Sequence, residues 1–325
     1  MKIAITGATG FVGSHLAECL VARGHEVSCL IRDAARMRWI EGLPVRVVPG
    51  DLDSPAALCT LVTGQDVVVH SAGLTKARTL DEYIRVNVEG TGKLLAAIRA
   101  HAPRIHRFLY FSSQAVMGPS SAGAPLTEDV QQRPVSLYGK SKALAERSLN
   151  EYRDFLPITV IRPPPVYGPR DRDVLMFFKI MKKGIELILG GTHLVSVVYV
   201  KNLAHGVALA IERPMGSYRS YFFTDGGEPS WVDLMGLMAK SLGRKPLRVN
   251  VPMFAAAAVA GISGMWAALM GRPALLNSGK LAEMRPQYNV VSDERARTEL
   301  GYRPLFSTEQ GIEETTRWYE LQGWL

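Results

Sequence analysis

Three glycines at equal spacing, Gly7, Gly10 and Gly13, separate a short apolar run at 2–5 from an amphipathic stretch at 14–23. That order reads as a strand, a tight turn and a helix. Glycine is needed where φ is positive or where backbone must lie against a pyrophosphate, and the helix behind such a turn offers unpaired N–H groups to the anion. The turn Thr6-Gly7-Ala8-Thr9-Gly10-Phe11-Val12-Gly13 is therefore expected to hold a dinucleotide, with Gly7, Thr9, Gly10, Phe11, Val12 and Gly13 as its contacts.

The pattern that begins there continues. Apolar runs at 3–6, 26–31, 45–48, 67–70, 107–112 and 158–161 alternate with helical segments, which is the βαβ rhythm of an α/β, doubly wound parallel sheet covered on both faces. Ligands of such sheets lie at the carboxyl ends of the strands. The alternation breaks at Pro163-Pro164-Pro165 and at Tyr167-Gly168-Pro169-Arg170, where the chain is expected to cross into a smaller lobe. With 325 residues, 47% of them hydrophobic, there is enough chain for one large domain with a subsidiary lobe.

Composition limits the partners. The net charge of +8 comes from scattered Lys and Arg with no basic stripe interleaved with aromatics, so no nucleic acid is expected, and a phosphorylated cofactor, an acidic substrate or an anionic membrane would account for the charge equally well. Cys19, Cys29 and Cys59 form no C-x-x-C pair and read as reduced thiols, so neither a disulfide nor a metal site is expected. Met1 runs straight into the first strand with no basic stretch and cleavage site, which points to a cytoplasmic protein. Residues 252–271 carry no charged side chain and are dense in Ala, Met and Gly. A packed, pocket-lining helix is the preferred reading, with peripheral membrane contact and a true span as the alternatives.

Tyr138 and Lys142 stand four apart in a segment rich in helix formers, so both project from one helix face. A phenol with a pKa near 10 is a poor base at neutral pH, and a neighbouring ammonium favours its phenolate. The pair therefore suits proton transfer.

The glycine spacing, this Y-x-x-x-K pair, and the later Gly301-Tyr302-Arg303-Pro304 and Trp318-Tyr319 motifs resemble the extended short-chain dehydrogenase/reductase family, the NAD-dependent epimerase/dehydratase superfamily. The likeness is strongest to its dihydroflavonol reductase and 3β-hydroxysteroid dehydrogenase-like branch. It implies a Rossmann-type sheet and a smaller, discontinuous C-terminal substrate lobe, with residues 1–165 and 194–225 binding the dinucleotide and 166–193 and 226–325 forming the lobe. Phe111-Ser112-Ser113-Gln114-Ala115-Val116-Met117-Gly118 matches the family's S-S-x-x-V-Y-G motif with Met117 in place of tyrosine, which implies that Ser113 polarises the substrate oxygen and Ser112 supports it. Asn87, in Val86-Asn87-Val88-Glu89-Gly90-Thr91, takes the place of an asparagine that completes the proton relay. Ser113, Tyr138, Lys142 and Asn87 are thus the expected catalytic set.

The resemblance also implies further cofactor contacts: Asp51 and Leu52 at the adenine, Ala72 and Gly73 where backbone passes the dinucleotide, and Tyr138, Lys142, Pro165 and Val166. Where many NAD users end their second strand with an acid, this chain has Ile31 followed by Arg32 and Asp33. Arg32 suits a 2′-phosphate, so NADP(H) is favoured and NAD(H) is the alternative. Sugar-nucleotide enzymes of the family hold their substrate's diphosphate with an asparagine and an arginine at positions that are Pro165 and Val195 here. The expected activity is accordingly interconversion of a secondary alcohol and a ketone on a small hydrophobic, sterol- or polyketide-like substrate. A sugar-nucleotide epimerase or dehydratase is the second reading and a non-catalytic cofactor-binding regulator the third, and a homodimer is open in each.

Overall fold

The computed structural model describes residues 1–120, 123–189, 193–213, 216, 218–251 and 288–325, so the charge-free segment 252–271 lies outside them. In chain order the strands are β1 (Lys2–Thr6), β2 (Glu26–Ile31), β3 (Val45–Pro49), β4 (Val67–His70), β5 (Arg107–Phe111), β6 (Ile158–Ile161), β7 (Val166–Tyr167), β8 (Ile185–Leu189), β9 (Leu194–Val195), β10 (Val198–Tyr199), β11 (Tyr218–Tyr221), β12 (Leu247–Val251) and β13 (Tyr288–Asn289). Seven of them form one parallel sheet in the order β11-β6-β5-β4-β1-β2-β3. This is a Rossmann-like sheet. Its order reverses between β1 and β4, whose register runs from Ile3 opposite Val67 to Thr6 opposite His70. A crevice opens beyond the carboxyl ends at such a reversal.

The helices α1 (Phe11–Ala22), α2 (Pro55–Val62), α3 (Leu80–Tyr83), α4 (Gly90–His101), α5 (Leu137–Ser148), α6 (Leu175–Lys182), α7 (Val200–Glu212) and α8 (Trp231–Ser241) follow the strands. One sheet face packs Ile3, Ile5, Val67, Val69 and Leu109 against α1 and α7; the other packs Ala4, Val68, Phe108 and Tyr110 against α2, α4 and α5. Strands buried on both faces explain the unbroken apolar runs in the sequence. The helix expected at 14–23 starts three residues earlier, because Gly10 already has the extended backbone of an N-cap, with φ −82° and ψ 175°.

A third core, built on Phe178, Met181, Met235, Ile312 and Tyr319, lies beyond the crevice, and Phe11 and Val12 of α1 pack against it. Three short parallel pairs, β7 with β10, β8 with β12 and β9 with β13, belong to this side of the molecule. Among the described residues no helix is long and apolar enough to cross a membrane. Cys29 is buried, which pushes its thiol up to about 12, and Cys19 and Cys59 are half-buried.

Gly7 has φ +81°, and a Cβ there would stand 2.7 Å from the Ala72 nitrogen; one on Gly13 would stand 2.2 Å from the Gly7 carbonyl oxygen. Neither neighbour is a flexible side-chain end. Gly7→Ala combines left-handed strain of about 1–2 kcal/mol with overpacking of about 1–3 kcal/mol, so a stability loss of at least ~2 kcal/mol is expected in urea unfolding. A Gly7→Ala variant as stable as the parent would show that the two turns are not in rigid contact.

Candidate active site

The glycine turn positions the first half of the site. The Gly10 amide donates to the Gly7 carbonyl at 3.0 Å, closing the turn, and α1 then begins with no side-chain cap and no acidic residue in its first turn. Its leading N–H groups therefore face the crevice as an anion site. Gly10 is exposed, and Gly7, Thr9, Phe11 and Val12 are half-buried around it. Ala72 and Gly73 follow β4 directly opposite, with the Ala72 amide donating to Thr6 Oγ1 at 3.3 Å.

At the end of β2, Arg32 is exposed and makes no hydrogen bond or ion pair among the described residues. Asp33 is engaged otherwise: one carboxylate oxygen accepts the Ala35 amide at 3.0 Å and the other pairs with Arg36 at 3.3 Å. At the end of β3 the Asp51 carboxylate accepts the Asp53 amide and the Ser54 hydroxyl, and Leu52 wedges against Gly90 of α4. Pro165 is exposed beside half-buried Val166, and its carbonyl accepts the Val198 amide at 3.1 Å.

The second half of the site is assembled by α5. Ser136 caps it by accepting the Gly139 amide at 2.9 Å, and a Cβ at Gly139 would come within 2.4 Å of the Ala115 carbonyl oxygen. This backbone contact seats the first turn of α5, with Tyr138, against the loop carrying Ser113. The helix starts before Tyr138, so Tyr138 and Lys142 lie one turn apart on one face. Tyr138 also packs on the Tyr83 ring, centroids 6.0 Å apart. Ser113 follows the end of β5, half-buried, with its hydroxyl accepting the Ala115 amide at 3.2 Å, whereas the buried Ser112 hydroxyl finds no partner among the described residues.

Lys142 is buried, donates to the Phe111 carbonyl at 2.7 Å and lies 4.8 Å from the Tyr110 ring centroid. Burial lowers its pKa to about 8, against a smaller opposing pull from Glu146. Gly73 closes the corner, since a Cβ there would stand 3.0 Å from Asn87 Oδ1 and 3.3 Å from Lys142 Nζ. Asn87 sits in a π-helical turn, Ile84–Glu89, between α3 and α4. Its Oδ1 accepts the Leu74 amide at 2.7 Å, and its Nδ2 donates to the Leu74 carbonyl and to Ser141 Oγ, each at 3.0 Å. Lys142, Asn87 and Gly73 thus share one corner of the crevice, with Tyr138 one helical turn from the lysine.

Residues 3–221 match the NAD dependent epimerase/dehydratase family. The chain belongs to it. Within that family it is of the extended short-chain dehydrogenase/reductase kind. It is 32% identical over 323 residues to a 4-hydroxy-2-methyl-3-oxo-4-farnesyl-3,4-dihydroquinoline-1-oxide ketoreductase of Stigmatella aurantiaca, covering 96% of this chain and 95% of that one. Identity is 30% over 325 residues to a ceramide reductase of Caulobacter vibrioides, covering 99% and 96%. Its fold is like that of a UDP-glucuronic acid 4-epimerase from Bacillus cereus in complex with NAD, with a TM-score of 0.80 at 22% identity over 99% of each chain.

The crevice fits the nicotinamide dinucleotide of that family on its own geometry. The missing side chains at Gly7, Gly13 and Gly73 let the turn, the loop after β4 and the Asn87–Lys142 corner close on one another, the uncapped α1 follows the turn, and Arg32 makes no ion pair among the described residues.

Five further residues were given no role from sequence: His70, Thr91, Ser141, Glu146 and Arg162. His70 is fully buried at the end of β4, and desolvation, helped by Lys142, drives its pKa down to about 3, so it is neutral. The bonding fixes its tautomer. Thr91 donates its hydroxyl proton to the Asn87 carbonyl at 2.7 Å, so its oxygen accepts from His70 Nε2 at 3.0 Å. His70 Nδ1 is then the acceptor for the Thr6 hydroxyl at 2.7 Å. A directed chain thus joins the end of β1 to the π turn of Asn87. Ser141 holds the Asn87 amide from α5. Further along α5, Glu146 is pinned by buried Arg162 through two bonds, at 2.7 and 3.1 Å. A lone histidine in an apolar strand reads as core from sequence; only its pairing opposite Thr6 reveals the link.

Lys142 gives a sign-specific prediction. Its folded pKa of about 8 lies below the ordinary 10.5, so between those values the unfolded chain binds more protons and this group's contribution makes stability rise with pH. The difference in unfolding free energy between the parent and Lys142→Met should therefore change in the parent's favour from pH 8 to 10.5 in urea titrations. A flat difference would show that the lysine is not desolvated.

Proposed function

We propose that the protein is an NADP(H)-preferring reductase or dehydrogenase that interconverts a ketone and a secondary alcohol on a hydrophobic substrate. The observation that carries this reading is the corner where buried Lys142, Asn87 and Gly73 meet at the crevice, one turn from Tyr138. The cofactor supplies or accepts the hydride. In the reducing direction Tyr138 gives its phenolic proton to the substrate oxygen while Ser113 donates a hydrogen bond to that oxygen. The Lys142 ammonium stabilises the phenolate left behind, and Asn87, held by Leu74 and Ser141, keeps its place beside that ammonium.

Exposed Arg32 supports the preference for NADP(H), because its guanidinium matches a 2′-phosphate and Asp33 is spent on capping the turn. Arg32→Ala should therefore weaken NADPH binding by about 1.5–3 kcal/mol, the range of a hydrogen bond to a charged group, while leaving NADH nearly untouched. Equal losses for both nucleotides in fluorescence titrations would remove the 2′-phosphate assignment.

Two features support an apolar substrate: Pro165 and Val195 provide no anion-binding side chain, and the relatives named above are called a ketoreductase and a ceramide reductase. The deciding experiment supplies NADPH with a panel of long-chain and polycyclic ketones and follows net cofactor oxidation. Turnover should be found, and Tyr138→Phe should lower it by at least ~10²-fold with NADPH still bound. Micromolar calorimetric binding of a UDP-sugar, with no cofactor consumption on any ketone, would replace this reading with that of an epimerase.

A further inference from the structure

Two helices of the third core end in the same way. Helix α6 stops at Gly184, with φ +84°, and α8 runs out at Gly243, with φ +61°. Each chain then enters one strand of the ribbon formed by β8 and β12, which start side by side, the Leu247 amide donating to the Gly184 carbonyl at 2.8 Å. The shared start places Lys182 and Lys183 of one connection near Arg244 and Lys245 of the other. All four are exposed, and none makes an ion pair among the described residues. Residues 179–189 and 240–251 hold seven Lys and Arg against a single acid, Glu186, which is buried and bonded to Arg248 at 3.0 Å.

The ribbon's two faces differ. In the register of β8 and β12, Arg248, itself exposed, lies opposite buried Glu186, while on the other face Leu247 lies opposite Ile185 and Val249 opposite Leu187. Leu247 is 73% exposed, Ile185 40% and Val249 37%. Aliphatic side chains thus stand in water directly beside unpaired cations.

We propose that this ribbon and the four cations at its base dock the protein on an anionic phospholipid surface. Charge complementarity identifies the partner: clustered cations are attracted to phosphate headgroups, and the aliphatic side chains among them gain by entering the region just below. A second copy of the chain would bring a ribbon with the same excess of positive charge, which opposes self-association there. A nucleic acid backbone would leave Leu247 and Ile185 without apolar contact. The inference rests on charge and exposure at described residues and is independent of the substrate reading, so its test involves no turnover.

The test is co-sedimentation of the full chain with vesicles of phosphatidylcholine alone or with about one third phosphatidylglycerol, at low and high salt. Binding to the anionic vesicles at low salt, and its loss in high salt or on the neutral vesicles, is expected. The joint substitution Lys182→Ala and Lys183→Ala should weaken it by about 25-fold, from roughly fivefold per basic residue at such a surface. Leu247→Gln, at an exposed position, should weaken it by about tenfold. Thermal melts and NADPH titration of the same variants, expected to match the parent, separate loss of docking from loss of fold. Equal binding to both vesicles, no binding to either, unchanged binding by the lysine variant, tighter binding to duplex DNA, or self-association that depends on Leu247 would each overturn the proposal.

Discussion

Two backbones touch where the sheet reverses its order, and the polar groups of the crevice are placed by that contact. Gly7, leaving β1, lies so close to Ser71 and Ala72, leaving β4, that no Cβ fits between them. The end of β1 is then bound to the end of β4 through Thr6 and His70, and His70 reaches on through Thr91 to the carbonyl of Asn87. The glycine turn and the corner of Asn87 and Lys142 are consequently parts of one hydrogen-bonded frame, although they are far apart in the chain.

The same frame explains how a lysine is kept in a dry position. Isolated burial of an ammonium is unfavourable, and the lowered pKa of Lys142 records it. The Phe111 carbonyl and the face of Tyr110 offset part of that cost, and Glu146, one turn further along the helix, adds a negative charge whose own position is held by Arg162. The neighbouring π turn serves a related end: by widening the helix at Ile84–Glu89, it lets the Asn87 side chain pair with the backbone of Leu74 while its carbonyl remains in the Thr91 bond.

Much of this was legible in the chain. The runs at 26–31, 67–70 and 158–161 are strands with those same ends, since a strand buried on both faces shows itself as uninterrupted apolar sequence. The glycine turn, Tyr138 and Lys142 were legible because local geometry alone determines them. Long-range pairing was not. Nothing near Leu194 announces that it lies beside Tyr288, nor anything near Ile185 that Leu247 completes its ribbon. Arg32 was the favoured phosphate contact in the sequence, but nothing there shows that Asp33 is held by the Ala35 amide and by Arg36. His70 carried no motif, and Thr91 stood in the Asn87 motif with no role of its own, for their bonds exist only where β1, β4 and the π turn converge.

Trp39 ends the turn Ala34–Trp39 that leads away from Arg32 and Asp33, and it packs on Trp318 and Trp324 near the chain's end, at centroid distances of 5.5 and 6.4 Å. Arg38 adds a hydrogen bond to Gln322 at 2.7 Å. Three of the protein's five tryptophans therefore form one optical unit beside the turn that follows β2. Light absorbed by any of the three can pass among rings this close, so their combined ultraviolet emission responds to this single spot. The molecule carries its own reporter for events at that rim, with no added label.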